Sequence, residues 1–435
     1  MTTARLPPPL DGKGRDGGAW HADFAWLGRV ASDVVIEVED GFIASIREGA
    51  PPSPNATRLR GFTIPGLANV HSHAFHRALR ARTQQGAGDF WAWRRLMYEE
   101  AARLDPDSYF ELSRGVYREM AQAGITVVGE FHYLHHGPGG KPYDDPNAMG
   151  EALIAAAREA GVRITLIDAC YLWNGMGMGA LEGVQLRFGD GDADRWAARV
   201  ERLRSGPGVS IAAAVHSVRA VDAAGIVAVA AWAKHSRAPF HVHVSEQRSE
   251  NEECRAATGV TPTRLLAESG AVWPSTTAVH ATHVDSSDIA LLGDARVAIC
   301  LCPTTERDLG DGVGPAAALT AAGARLCVGT DSHAMIDVLE EARAVELDQR
   351  LVTNRRGHHR PEDLLEAATA AGYAALGWEG GRIQTGCLAD FITLDLASPR
   401  LAGIPIQDLA AGAVFAATGA DVRTVVVGGR TIIGG

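Results

Sequence analysis

The sequence predicts an α/β protein: a (β/α)8 TIM-like barrel with a small β-sandwich domain formed by both chain termini. Three observations predict it. In the central part, short β-rich runs alternate with longer helical runs, and eight such alternations are countable. The two ends carry hairpin patterns instead. Finally, polar residues capable of chemistry stand at the ends of the central β runs, where a barrel keeps its active site. The implied domain limits are residues 1–60 and 381–435 for the two parts of the β domain and 61–380 for the barrel.

In chain order, residues 34–38 form an apolar run, Asp40-Gly41 supplies a turn, and residues 42–46 resume the run. A D-G pair between apolar runs is a strong hairpin signal. The eight barrel strands are expected at residues 67–70, 126–129, 163–168, 209–215, 240–244, 277–280, 297–301 and 326–330. Between them, segments such as 109–123, 149–160 and 222–234 have the apolar spacing and alanine content of helices. A doubly wound open sheet would normally carry a Gly-rich phosphate turn after its first strand, and this sequence has none. The C-terminal part returns to β pattern, with a strand at 389–394 and a hairpin from 422–427 through Gly428-Gly429 to 431–433.

Composition narrows the function classes. With 435 residues and 46% hydrophobic content, the chain can bury a large core. Its formal net charge of -11 argues against a nucleic-acid partner, which needs a basic surface. Residues 1–9 lack the apolar region of a signal peptide, and no apolar stretch is long enough to cross a bilayer. Cys170, Cys254, Cys300, Cys302, Cys327 and Cys387 form no C-x-x-C pattern and read as free thiols in a reducing cytoplasm.

The strand ends carry the chemistry. The first ends in His71-Ser72-His73, the fourth in His216, the fifth in the run His241 to Glu246, the sixth in His280 and the eighth in Asp331. Residues two apart on a strand share a face, so His71 and His73 make a chelating pair. His241 and His243 also share a face. His243 lies nearer the strand end and Glu246, which assigns it to a metal and leaves His241 a supporting or packing role. Imidazole and carboxylate ligands suit zinc, and iron or manganese could substitute.

The run Pro65 to His73, the pair His243 and Glu246, His280 and Thr330-Asp331-Ser332 resemble the mononuclear deaminase branch of the amidohydrolases. Closer features are His71 to Phe75, Phe90-Trp91-Ala92-Trp93-Arg94, Glu130 to His136, His216 to Val221 and Leu301 to Glu306. Together these are similar to the formiminoglutamate deiminase family over about residues 60 to 400. The resemblance implies His71, His73, His243 and Asp331 as ligands of one zinc ion. It implies Glu246 and His280, with Asp331, as the proton-handling residues. His216, Arg219, Tyr133 and Arg94 would face the substrate, Arg94 in its own or a neighbouring subunit. At position 76 the family often has Gln; His76 stands here, with a different hydrogen-bonding geometry. Some amidohydrolases bridge two metals with a carbamylated lysine after strand four. The three lysines, Lys13, Lys141 and Lys234, are not near that position, so one metal is expected.

The implied reaction is hydrolysis of the formimino C–N bond of N-formimino-L-glutamate to N-formyl-L-glutamate and ammonia, a step of histidine degradation. Arg94 and Arg219 suit the substrate's two carboxylates. The expected partner is thus a small molecule with carboxylates, the expected assembly a homodimer. Two alternatives compete. A nucleobase or aminopurine deaminase would share the metal, Glu and His, but would favour stacking aromatics and amides over two arginines. A non-catalytic metal-binding scaffold would have no need of Glu246 and His280.

Overall fold

A computed structural model describes residues 18–84 and 90–434. Residues 1–9 and Lys13, and with them the reading of the N-terminus, lie outside the described residues, as does the side chain of Trp91. Strands are numbered in chain order. The termini meet in one seven-stranded sheet. The N-terminal side supplies β1 (Gly18–Trp26), β2 (Val30–Glu39), β3 (Phe42–Arg47) and β4 (Thr57–Pro65). Eight strands follow in a second sheet: β5 (Leu67–Ser72), β6 (Ile125–His132), β7 (Arg163–Cys170), β8 (Val209–Val215), β9 (Phe240–Val244), β10 (Thr276–His280), β11 (Ala298–Leu301) and β12 (Arg325–Val328). The C-terminal part returns β13 (Phe391–Leu394), β14 (Val422–Val427) and β15 (Arg430–Gly434) to the first sheet, in the order β15-β14-β13-β4-β1-β2-β3.

The turn chemistry explains both predicted hairpins. Asp40 and Gly41 have φ of 50° and 80°, and Gly428 and Gly429 have φ of 57° and 76°. Both central residues are left-handed in each turn, the conformation that favours Asp-Gly and Gly-Gly. The terminal sheet has its own core, in which Trp20 meets Phe391 edge-on at 5.5 Å beside Val34 and Ile36. N- and C-terminal halves are joined at β4 and β13, where the hydroxyls of Thr63 and Thr393 lie 3.0 Å apart.

All neighbours in the eight-stranded sheet are parallel. The predicted helices fall between them at Pro106–Gln122, Ala148–Ala160 and Ala223–Ser236. The first is set by Asp105, whose carboxylate accepts the Ser108 N–H, with Pro106 at the first helical position. The ring of strands closes just beyond β12. There the Asp331 N–H donates to the His71 carbonyl at 2.9 Å and the His73 N–H donates to the Asp331 carbonyl at 3.1 Å. The backbone that completes the barrel therefore also fixes two candidate functional segments against each other.

The opposite end of the barrel is sealed by residues 373–378. The Tyr373 hydroxyl meets the Thr126 hydroxyl at 2.6 Å, the Thr165 hydroxyl donates to the Leu376 carbonyl, and the Trp378 indole donates to Thr165. Here the β domain is anchored. The Asp390 carboxylate accepts from Arg163 Nε at 2.7 Å and Nη2 at 3.0 Å, from the Tyr373 hydroxyl at 2.9 Å and from the Gly428 N–H at 2.6 Å. A fully buried ion pair is stable only with such saturation of its lone pairs. Among the described residues no helix is long and apolar enough to cross a membrane.

Candidate active site and metal centre

The open mouth of the barrel gathers His71 and His73 from the end of β5, His243 from β9 and Asp331 from the turn after β12. None is more than 5% exposed. His243 Nε2 lies 3.0 Å from His71 Nε2 and 3.4 Å from His73 Nε2, and Asp331 Oδ1 lies 3.4 Å from both His71 and His73 Nε2. His73 Nδ1 donates to the Phe131 carbonyl at 3.0 Å and His243 Nδ1 to the His216 carbonyl at 2.9 Å, which turns each Nε2 lone pair inward. Burial first, then the neighbouring imidazoles, push His71 and His73 well below the usual histidine range and His243 to about 4. Neutral imidazole lone pairs and a carboxylate oxygen are all acceptors, so at these separations they repel unless a cation lies among them. An ion with ligand bonds of about 2.0–2.1 Å in tetrahedral array would hold its ligand atoms about 3.3–3.4 Å apart. The observed spacing and donor set fit a zinc-like ion.

His280, the last residue of β10, presents Nε2 3.9 Å from Glu246 Oε1 and 3.8 Å from Asp331 Oδ2. Its Nδ1 lies 3.3 Å from Glu306 Oε1. Burial disfavours its charge, but Glu246, the hydrogen bond to Glu306 and Asp331 together lift its pKa well above the usual value. The backbone here is strained. Ser245, His280, Ala281 and Asp331 have φ of 52°, 68°, 50° and 43°, values that non-glycine residues seldom adopt. The strain falls where side chains must leave a strand at a set angle.

Above this floor opens a cavity of about 510 Å³, a size suited to a small molecule. Except for His71, which lies beneath, every site residue expected from the sequence lines it: His73, His76, Arg94, Tyr133, His216, Arg219, His243, Glu246, His280 and Asp331. His76 Nε2 lies 2.9 Å from the Tyr133 hydroxyl, and its ring packs 4.5 Å from that of His73. Burial lowers its pKa to about 3, so it is a neutral group. Arg94 and Trp93 lie on the helix Phe90–Arg103. Arg94 Nε donates to the Tyr98 hydroxyl at 2.6 Å, which aims the guanidinium at this chain's own cavity wall. For Arg219, burial works against charge, but Glu250 and Glu246 raise its pKa and keep it cationic.

The structure adds residues to which the sequence assigned no role. Glu130, buried behind the His-Ser-His run, accepts from the Ser72 hydroxyl at 2.5 Å and from the Ala74 N–H at 2.7 Å. Burial pushes its pKa to about 8. The Ser72 hydroxyl also lies 3.0 Å from His333 Nε2, and His333 Nδ1 lies 2.9 Å from the Thr330 hydroxyl. Glu250, Glu306 and Asp311 likewise stand behind the site. Glu130 and Glu306 fall inside two of the runs that carried the family resemblance; Glu250 and Asp311 are single acids with no local pattern to mark them. His241, two residues deeper than His243, bonds the Ala375 carbonyl at 3.3 Å.

The model of the amidohydrolase family matches residues 62–432. A formimidoylglutamate deiminase of Pseudomonas aeruginosa is 38% identical over 418 residues, covering 93% of this chain and 91% of its own length. A 5-methylthioadenosine/S-adenosylhomocysteine deaminase of Natronomonas pharaonis is 28% identical, with 92% and 88% covered. Among solved structures, an amidohydrolase from Brucella melitensis superposes with a TM-score of 0.88 at 32% identity, covering 96% of this chain and 95% of that one. An adenosine deaminase from Xanthomonas campestris with bound zinc shares the fold, with a TM-score of 0.81 at 23% identity and 98% and 94% covered. The family match spans the barrel and the strand ends whose side chains form the mouth: the chain belongs to the amidohydrolase family.

Proposed function

We propose that this enzyme hydrolyses the formimino C–N bond of N-formimino-L-glutamate, releasing ammonia and N-formyl-L-glutamate. The relative of 38% identity supports the reaction. The observation that carries the substrate is that Arg94 and Arg219 line the same cavity as His73 and His243. Two guanidiniums match two carboxylates, and buried carboxylates need such partners. His71, His73, His243 and Asp331 would hold one ion. When bound, a zinc-like ion supplies Lewis-acid activation of water near neutral pH.

The protein's own groups account for the rest. Asp331 Oδ2, beside His280, takes the proton of the attacking water. Glu246 takes the second water proton, from the hydroxyl of the tetrahedral adduct, and delivers it to the nitrogen of the protonated formimino head, which leaves as ammonia. His280 donates to the oxygen that becomes the formyl carbonyl. Tyr133 and His76, bonded to each other, and His216 shape the wall around the formimino head. The reading extends to a homodimer in a reducing cytoplasm, in keeping with six free thiols, five of them buried.

A nucleoside or nucleobase deaminase is the second reading. Trp93, Trp173 and Phe188 on the cavity wall favour it, since they could stack on a flat base. Steady-state ammonia release from formiminoglutamate, formiminoaspartate, guanine, cytosine and adenosine decides. The proposal expects formiminoglutamate to give the highest kcat/KM; turnover of a base alone would overturn it.

A further inference from the structure

We propose that Glu306 is a positioning residue that fixes the ring of His280 and holds its Nδ1 hydrogen. This rests on the role proposed for His280 and extends it to a residue that touches neither substrate nor ion.

Glu306 lies on the helix Pro303–Leu309, on the barrel turn after β11, and is only 4% exposed. One oxygen, Oε1, receives two groups: the Cys302 N–H at 2.9 Å and His280 Nδ1 at 3.3 Å. A carboxylate oxygen can only accept, so Nδ1 carries a hydrogen, and the one His280 donates toward the substrate is on Nε2. Nε2 is thereby turned toward Glu246 and Asp331, at 3.9 and 3.8 Å. His280 has φ of 68°, a strained backbone for a non-glycine residue, and the Glu306 contact meets its ring at that strained position.

The turn that carries Glu306 is itself pinned through the two residues before it. Thr304 donates its N–H to Glu341 at 2.9 Å, and its hydroxyl donates to the other Glu341 oxygen. The Thr305 hydroxyl accepts the Ser332 N–H at 3.2 Å and lies 3.1 Å from the Ser332 hydroxyl. Ser332 follows Asp331. A single turn thus sets His280 through Glu306 and steadies the Asp331 segment through Thr305. Capping the helix alone would require the Cys302 contact; the imidazole contact is additional and aims at the reacting centre.

The test is a double-mutant cycle with Glu306→Gln, Glu306→Ala and His280→Asn. The zinc content and melting temperature of each variant are recorded. If Glu306 acts through His280, Glu306→Ala lowers kcat by about 10–100-fold, the usual effect of removing an imidazole's orienting partner. Glu306→Gln, which keeps an acceptor oxygen, recovers part of that loss. KM stays near the wild-type value. In the His280→Asn background, Glu306→Ala changes kcat little, because its target is gone. Losses that multiply in the cycle would show that Glu306 supports the fold or the ion instead, and would overturn the proposal. Should the alanine variant not fold, the glutamine variant completes the same cycle. A second readout needs no substrate: in 15N-histidine-labelled protein, the ring signals of His280, assigned by their loss in His280→Asn, should move in the Glu306 variants. Unmoved signals would overturn the inference whatever the enzyme hydrolyses, whereas absence of formiminoglutamate turnover by wild type would overturn only the substrate reading.

Discussion

Among the described residues, two buried clusters of imidazole and carboxylate lie in this barrel, and they differ in what neutralises the carboxylate. At the mouth are His71, His73, His243 and Asp331. Behind it His132, His135 and Asp168 bring three ligand atoms within 4.8 Å of one another. Residue types alone do not separate them. Asp168, however, accepts both terminal nitrogens of Arg199 at 2.8 Å and the Trp196 indole at 2.9 Å. Arg199 continues to Asp190 through Nε and Nη2 at 2.9 Å, and Asp190 accepts His136 Nε2 at 2.9 Å. Burial disfavours the Asp168 anion, but Arg199 holds its pKa below the ordinary carboxylate value. The second cluster carries its own cation. Around Asp331, the cationic or potentially cationic groups within ion-pair distance among the described residues are His71, His73 and His280. The two clusters thus differ by a guanidinium, which closes the second and, among the described residues, lies within ion-pair distance of Asp168 but not of Asp331, rather than by a count of histidines.

The largest expected effect tests this contrast directly. His73→Ala should abolish both bound metal and turnover. Arg199→Met should leave metal content near one ion per chain while lowering stability by about 3–5 kcal/mol, because it strands two buried carboxylates. Elemental analysis and a urea melt read the two outcomes. Two tightly bound ions in wild type, one of them lost in His135→Ala, would erase the distinction between the clusters. Next in size is Glu246→Gln, which should keep metal and KM but lower kcat by about 10²–10⁴-fold. Near-normal turnover would remove Glu246 from the proton path.

Much of the mouth was legible in the sequence because barrel geometry turns linear spacing into position. His71-x-His73, His243, His280 and Asp331 each end a strand, and the strand ends converge. The hairpins at Asp40-Gly41 and Gly428-Gly429 were legible because only certain residues tolerate left-handed turns. What supports the mouth was not legible. Glu306 reaches His280 across 26 residues, Glu130 reaches Ser72 across 58, and Arg163 finds Asp390 across 227. An isolated acid on a helix or strand has no local pattern that tells a solvated carboxylate from a buried one. Trp93 lies on a helix and lines the cavity.

The contrast sharpens further at Arg219, a buried cation that lines the cavity with Glu250 and Glu246 among the charges that keep it protonated. If it holds a substrate carboxylate, Arg219→Met should cost about 2–5 kcal/mol in kcat/KM for formiminoglutamate, by analogy with buried interfacial charge pairs. At about 1.4 kcal/mol per decade, that is roughly 30- to 4,000-fold. An uncharged formamidine should lose far less, since it never used the contact. Equal losses for both substrates would place Arg219 with Arg199 as a structural cation.

The smallest effect belongs to His76, which stands between the two kinds of histidine. It is neutral, buried and bonded to Tyr133, yet its ring nitrogen lies close enough to His73 and Asp331 to be a further potential ligand. The spacing at the mouth already supplies four ligand atoms from His71, His73, His243 and Asp331, so a wall role for His76 is the simpler arrangement. A Gln side chain can also exchange a hydrogen bond with the Tyr133 hydroxyl, at the cost of the ring's packing on His73. A net change of one hydrogen bond between neutral groups is worth about 0.5–1.5 kcal/mol. His76→Gln should therefore change kcat/KM by roughly 2- to 12-fold at about 1.4 kcal/mol per decade, mostly through KM, with metal content unaltered. Loss of the ion in this variant, or a fall in kcat beyond about a hundredfold, would move His76 from the cavity wall into the group that holds the metal, and the mouth would then be a five-residue site.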